Sequence, residues 1–374
     1  MTRTADVVIV GAGVIGCALA RELAGRGLAV TVVEKGQPGE EASWAAAGLL
    51  SPQADGELPG PFFDLRLESR ALYPDWTREL LEETGLDVGY RKTGLLRCAF
   101  GEEATDRVFD HYRWQGEAGL PVEPRDAAAL DRQLEGRLSP QIRRALFFPE
   151  EAVVEPRKLV RALREAAERR GVRILAETAA RRFRIEAGAC RGVETDDALL
   201  EADRVVDAAG AWAGFDPELA VAIPVRPVRG QIVELVARRG TLPTVVQSDE
   251  VYLLPRPDGR VVVGATFEEV GYEKDVTAEA VGWLITAAIR LVPSLSAARF
   301  STAWSGLRPA TPDGLPLLGD SGIPGLFLAT GHFRNGILLA PVTARLLADR
   351  LVGESGRDLS PFGLGRFAVP RRQA

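Results

Sequence analysis

Apolar residues first gather at Ala5-Asp6-Val7-Val8-Ile9-Val10, a short run with one polar interruption. Such continuity predicts a parallel strand buried on both faces. The period then changes. Residues 14–26 carry apolar side chains at helical spacing and end at Gly27, a helix stop. Residues 29–33 return to the strand pattern and close a βαβ unit. Helical spacing recurs over 62–83, 108–118 and 155–170, with Pro156 tolerated in a first turn and Gly171 ending the last of them. A strand follows at 172–175, and 203–207 predicts another that runs into the small-residue turn 208–212. From Pro224 the pattern turns to short β-rich runs at 230–236, 250–255 and 260–265. The last two flank Arg256-Pro257-Asp258-Gly259, a strong turn signal. A helix over 277–291, a strand over 325–329 and a helix over 337–351 complete the reading. The order describes an α/β chain in which both ends contribute to one domain, interrupted by an antiparallel sheet.

The first βαβ unit carries recognisable chemistry. Gly11-Ala12-Gly13-Val14-Ile15-Gly16 follows a strand and opens a helix. Gly11 permits the tight turn, Gly13 lets a pyrophosphate approach the backbone, and Gly16 lets helix and strand pack closely. The helix start offers free N–H groups to phosphate. Glu34 ends the second strand, placed to accept hydrogen bonds from an adenosine ribose. This context predicts a bound dinucleotide, NAD or FAD. The small-residue stretch Ser43-Trp44-Ala45-Ala46-Ala47-Gly48-Leu49-Leu50 reads either as a loose loop or as a backbone surface for a bulky cofactor.

Composition narrows the picture. The 374 residues have a formal net charge of −6, which gives no footprint for nucleic acid. Three dispersed cysteines, Cys17, Cys98 and Cys190, fit a reducing compartment, and two histidines, His111 and His332, cannot build a histidine-rich metal centre. No metal site is expected. All but four of the 46 basic residues are arginine, so a single arginine carries little functional weight by itself. The uncharged run over 7–20 is too short to span a bilayer, and its upstream flank lacks the charged start and cleavage site of a signal peptide. A cytoplasmic protein without membrane contact is the expectation.

Longer strings then match a family. Tyr252-Leu253-Leu254-Pro255-Arg256, Gly259 to Thr266, Gly306-Leu307-Arg308-Pro309 and, most specifically, Gly331-His332-Phe333-Arg334-Asn335-Gly336-Ile337-Leu338-Leu339-Ala340-Pro341 resemble the D-amino-acid-oxidase-like FAD oxidoreductases. Within that family the resemblance is closest to the glycine oxidases of thiamine biosynthesis, and it runs over nearly the whole chain. It implies a Rossmann-like FAD-binding domain (1–85, 150–220 and 300–374) interleaved with an antiparallel-sheet substrate domain (86–149 and 221–299). It also implies non-covalent FAD. Val14, Ile15, Glu34 and Lys35 would contact the ADP half, with Ala179 near the adenine. Ser43, Ala47, Gly48 and Leu49 would lie along the pyrophosphate and flavin. His332, Phe333, Arg334, Asn335, Gly336, Ile337 and Leu338 would set backbone N–H groups and a helix start near the flavin pyrimidine, where negative charge develops on reduction.

By the same resemblance, Arg308 would clamp the substrate carboxylate with its guanidinium fork, Tyr252 would assist, and Arg334 would stand near substrate and flavin. The chain departs from glycine oxidases at the pocket wall. Glu250 stands where histidine is common, and Phe267 and Leu49 replace methionines. A glutamate there would repel an anionic substrate unless turned away, and Phe267 would narrow the pocket. No cysteine follows Cys190, which excludes a cysteinyl flavin link in that region. The implied reaction is oxidative deamination of glycine, sarcosine and small D-amino acids. Hydride passes from Cα to flavin N5, the imine hydrolyses to the 2-oxo acid and ammonia, and O2 is reduced to H2O2. No side-chain acid or base is evident. The glycine imine would supply a thiazole synthase, and the family points to a homo-oligomer, a tetramer. Two other readings stay open: a D-amino acid dehydrogenase passing electrons to quinone, and a flavin-carrying subunit of a heteromeric sarcosine-oxidase-like complex.

Overall fold

The computed structural model describes residues 5–56, 58–354 and 356–367, and two large sheets organise them. Val7–Val10 is the central strand of the first, with no more than a few per cent of any residue exposed. It pairs in parallel with Val30–Val33 on one side and Arg204–Asp207 on the other. Arg173–Leu175 and Leu326–Thr330 extend the parallel array, and Leu317–Asp320 adds an antiparallel edge. Helices Val14–Gly25, Pro156–Arg169 and Gly336–Val352 share one apolar core with this sheet, through Leu19, Leu163 and Leu347 against Val7 and Ile9. The continuous apolar runs of the sequence are therefore strands covered on both faces.

The second sheet has eight strands. Its order is Arg299–Ala310, Arg226–Val236, Arg260–Gly264, Tyr252–Pro255, Val245–Gln247, Leu95–Cys98, Arg144–Phe148 and Glu123–Asp126. All neighbours run antiparallel except Val245–Gln247 beside Leu95–Cys98. Helix Ala278–Leu291, capped by the Thr277 hydroxyl on the Ala280 N–H, covers one face with Leu284 and Leu291 against Val233, Val263 and Leu253.

One border moves. The sequence reading assigned 300–374 to the nucleotide-binding side, yet Arg299–Ala310 pairs along its whole length with Arg226–Val236. Residues 299–302 are exposed, so the strand's first half has no apolar alternation to betray it. A small antiparallel sheet, Ala180–Glu186, Ala189–Thr195 and Leu199–Glu201, was not foreseen; charged side chains occupy much of it. The three cysteines are buried and free: Cys17 in the first helix, Cys98 in the eight-stranded sheet and Cys190 in this small one. Among the described residues, no helix is long and apolar enough to cross a membrane, and no group of three or more His, Cys, Asp or Glu could hold a metal ion.

Candidate active site

The carboxyl ends of the parallel strands open on one long cavity of about 410 Å³ that continues to the face of the eight-stranded sheet. At the first end lies the glycine turn. Gly11 has φ +104°, and a Cβ there would stand 2.5 Å from the Ala208 carbonyl oxygen. Gly13 faces the cavity, with the Ser43 hydroxyl 3.2 Å from where a Cβ would be. That hydroxyl accepts the Val14 N–H at 3.0 Å, tying the small-residue stretch to the helix start. Glu34 reaches back across the turn: its carboxylate accepts the Ala12 N–H at 2.8 Å and the Gly36 N–H at 3.1 Å. Lys35 and Ala179 line the same end, where the Lys35 ammonium sits 3.0 Å from the centre of the Trp212 ring. Burial lowers the Lys35 pKa from its ordinary value.

The middle of the cavity is backbone held from behind. Gly48 has φ +85°, and a Cβ would overlap the Val154 carbonyl oxygen. Buried Arg256 donates to the carbonyls of Ala47 at 2.7 Å and Val154 at 2.9 Å. The Trp304 indole N–H donates to the Ala45 carbonyl at 2.9 Å. Ala47, Gly48 and Leu49 thus present a fixed wall of small groups, a cradle that suits a flat, bulky ring system.

Arg308 and Tyr252 meet at the sheet end. One terminal nitrogen of Arg308 donates to the carbonyls of Thr266 at 3.1 Å and Arg229 at 3.3 Å; the rest of the fork makes no hydrogen bond among the described residues. Two glycines make room for the pair. A Cβ at Gly230 would overlap the Arg308 guanidinium, and one at Gly264 would overlap the Tyr252 hydroxyl. Desolvation at the cavity wall pushes the Tyr252 phenol up to about 12, so it stays a hydrogen-bond donor at any working pH. Arg334 lies exposed at the rim, over the Phe333 ring.

The segment before the last helix is more selective than its sequence implies. His332 is buried, its Nε2 lies 3.1 Å from the Thr343 hydroxyl, and burial lowers its pKa to about 3. The ring is neutral and cannot act as an acid near neutral pH. The Phe333 N–H donates to the Pro309 carbonyl and the Asn335 N–H to the His332 carbonyl, so neither is free for a ligand. Gly336 and Ile337 line the cavity at the start of helix Gly336–Val352, where the first amides have no intrahelical acceptor.

Most of the expected site residues therefore share one cavity, and four do not line it. A Cβ at Gly16 would overlap the Gly11 carbonyl oxygen, so Gly16 serves helix–strand packing. Leu338 is in the apolar core, and its carbonyl accepts the Ser69 hydroxyl at 2.6 Å. Glu250 turns to the surface and pairs with Arg290 at 2.9 Å, so the feared repulsion of an anion does not arise from it. Phe267 is 58% exposed and meets Phe333 edge-on at 5.9 Å, outside the cavity it was expected to narrow. Sequence reasoning missed Gly230, Gly264, Trp212 and Asp55. The glycines look like ordinary strand residues, and only the side chains across the sheet give them meaning. Asp55 is a carboxylate on the cavity wall, paired with buried Arg66 at 2.7 Å.

A glycine turn, an acid on the next strand, a backbone cradle and a cationic clamp at the far end define a dinucleotide-dependent enzyme of the flavoprotein kind, and the residues fit FAD. Residues 6–350 match the family described as FAD dependent oxidoreductase (DAO), and the chain belongs to that family. It is 38% identical to the glycine oxidase of Geobacillus kaustophilus over 98% of each chain. A crystal structure of glycine oxidase from that organism superimposes with a TM-score of 0.93 at 36% identity, covering 97% of this chain and 99% of the other. The chain is also 38% identical to a bifunctional protein ThiO/ThiG of Nostoc sp.; the match takes in all of this chain but only 56% of that longer protein.

Proposed function

We propose that the chain oxidises glycine, with sarcosine and small D-amino acids as further substrates, to the 2-oxo acid, ammonia and H2O2. The observation that carries this reading is the Arg308–Tyr252 pair seated on Gly230 and Gly264 at the sheet end of the cavity. A guanidinium with a free edge next to a permanently protonated phenol is a receptor for one small carboxylate. Gly13, Val14, Ser43 and Glu34 would hold the ADP half of FAD, and Ala47, Gly48, Leu49, Gly336 and Ile337 the flavin. The flavin, when bound, supplies the two-electron acceptor for Cα–H cleavage and the route to O2. The protein orients the substrate: Arg308 fixes the carboxylate, which limits how Cα can lie against the cradle. The carboxylate on the wall at the substrate end, Asp55, is taken up by Arg66 at 2.7 Å, so the neutral amine is the reactive form, favoured by the cations Arg308 and Arg334 nearby.

The similarity to ThiO/ThiG proteins supports a further step, delivery of the glycine imine to a thiazole synthase. A homotetramer in the cytoplasm is the setting this reading expects. The test is direct. Purified protein loaded with FAD should produce H2O2 from glycine, and sarcosine and D-alanine should follow. Flavin reduction by glycine without O2 consumption would favour a dehydrogenase that uses another acceptor. No reduction by any of these amines would overturn the reading.

A further inference from the structure

The cavity wall between cradle and clamp is the loop 51–56, which contributes Ser51 and Asp55. Such a loop would ordinarily satisfy its peptide groups with water or with itself. Here side chains from three other segments take them. The Arg66 guanidinium donates to the Ser51 carbonyl at 2.8 Å, Gln115 donates to the Gln53 carbonyl at 3.0 Å, and the Tyr112 hydroxyl donates to the Ala54 carbonyl at 2.6 Å. His111 Nε2 lies 2.8 Å from the Gly56 carbonyl oxygen. The two N–H groups at the centre of the loop share one acceptor. A single oxygen of Glu151 receives the Gln53 N–H at 2.8 Å and the Ala54 N–H at 3.0 Å, while its other oxygen meets Arg70 at 3.3 Å. Glu151 is fully buried and lies outside the cavity lining.

We propose that Glu151 is a positioning residue: through the Gln53 and Ala54 amides it fixes the loop that carries Ser51 and Asp55 into the substrate end of the cavity. The charged groups facing it are Arg70 and Arg66, both on helix Pro61–Thr84, and Asp55, which is bound to Arg66. Gln53 and Gln115, also adjacent, are uncharged. While ionised, Glu151 receives both amides in charge-assisted bonds on one oxygen and Arg70 on the other; a proton weakens the first pair and competes with Arg70 for the second oxygen. Burial, partly offset by Arg70 and the two amides, moves the Glu151 carboxyl up to about 7. The grip on the loop therefore loosens as pH falls through neutrality.

The inference rests on the proposed reaction only for its kinetic arm. Hydrogen exchange of the FAD-loaded protein, corrected for intrinsic rates, tests it without any turnover. Protection at Gln53 and Ala54 should be about tenfold lower at pH 6 than at pH 8, because most Glu151 is then protonated. Glu151→Gln should show the lower protection at both pH values. Asp55 within the loop and His111 and Tyr112 against it are the other ionisable groups, so His111→Gln and Tyr112→Phe must keep the step at Gln53 and Ala54. In the kinetic arm the supply of neutral amine falls with pH for both proteins alike, so the ratio is read: KM for glycine in Glu151→Gln should be about tenfold above the wild type at pH 8 and equal to it at pH 6, with kcat little different between the two. Wild-type protection that ignores this pH change, or a Glu151→Gln protein that keeps the step, would overturn the proposal. Should Glu151→Gln fail to fold, the wild-type and His111→Gln exchange data still decide. If glycine is not oxidised at all, the exchange arm stands unaffected.

Discussion

Arg308 shows what a residue gains from its surroundings. In a chain whose basic residues are nearly all arginine, composition gives it no distinction; its short motif does, and the structure supplies the reason. Two carbonyls hold one nitrogen, Gly230 lets the fork lie flat on the sheet, and the remaining N–H groups face the cavity. Arg308→Ala is expected to raise KM for the amino acid about 100-fold with a smaller loss in kcat, since the carboxylate is bound equally in ground and transition states. Steady-state rates over a wide glycine range check this, and an unchanged KM would remove the clamp. Gly230→Ala should mimic much of that defect without touching a charge, because the new methyl occupies the space of the guanidinium. His332 makes the opposite point. Its motif marks it, yet the buried ring is neutral. Its folded pKa, about 3, lies below the ordinary 6.5, so between those values the unfolded chain binds a proton that the folded one refuses. Its contribution to stability is complete above pH 6.5 and declines as pH falls toward 3. Denaturant unfolding from pH 7 to pH 4 should therefore be less steeply pH-dependent in His332→Gln.

Elements were legible where burial imposed a period and obscure where it did not. The strand Val7–Val10 and the helices Val14–Gly25, Pro156–Arg169 and Gly336–Val352 announce themselves because one stripe or both faces must be apolar. Arg299–Ala310 hides because half of it faces solvent, and its place is set by a ladder to a strand some seventy residues away. The site divides the same way. The phosphate end is a local motif, readable in thirty residues; the substrate end is assembled across strands, so Gly264 and Tyr252 meet only through register. Arg256 joins these elements. It comes from the turn after Tyr252–Pro255 and binds carbonyls of Ala47 and Val154, and burial lowers its pKa to about 10. Arg256→Met should destabilise the protein by roughly 3 kcal/mol, since it strands two buried acceptors near Glu155. It should also weaken FAD retention although no cavity-facing atom changes. Thermal melts and flavin fluorescence on dilution would show both effects.

At the scale of the molecule, the cavity joins two sheets that have separate cores. A ligand that touches both should raise the stability of the whole. Free FAD at 100 times its Kd is expected to add about 2.7 kcal/mol to unfolding, seen as a concentration-dependent rise in Tm. A melt in which only one of two transitions moves would show that the sheets unfold independently. The cysteines make that question answerable residue by residue. Each large sheet region and the small one holds a single buried thiol, and burial pushes Cys17 and Cys98 up to about 12. Masked thiols of this kind react with alkylating reagents only after the surrounding structure opens. Nature has thus left three chemically silent tags, one for each layer of the architecture. Timed alkylation followed by peptide mass spectrometry would report the order in which the layers come apart, with no label introduced.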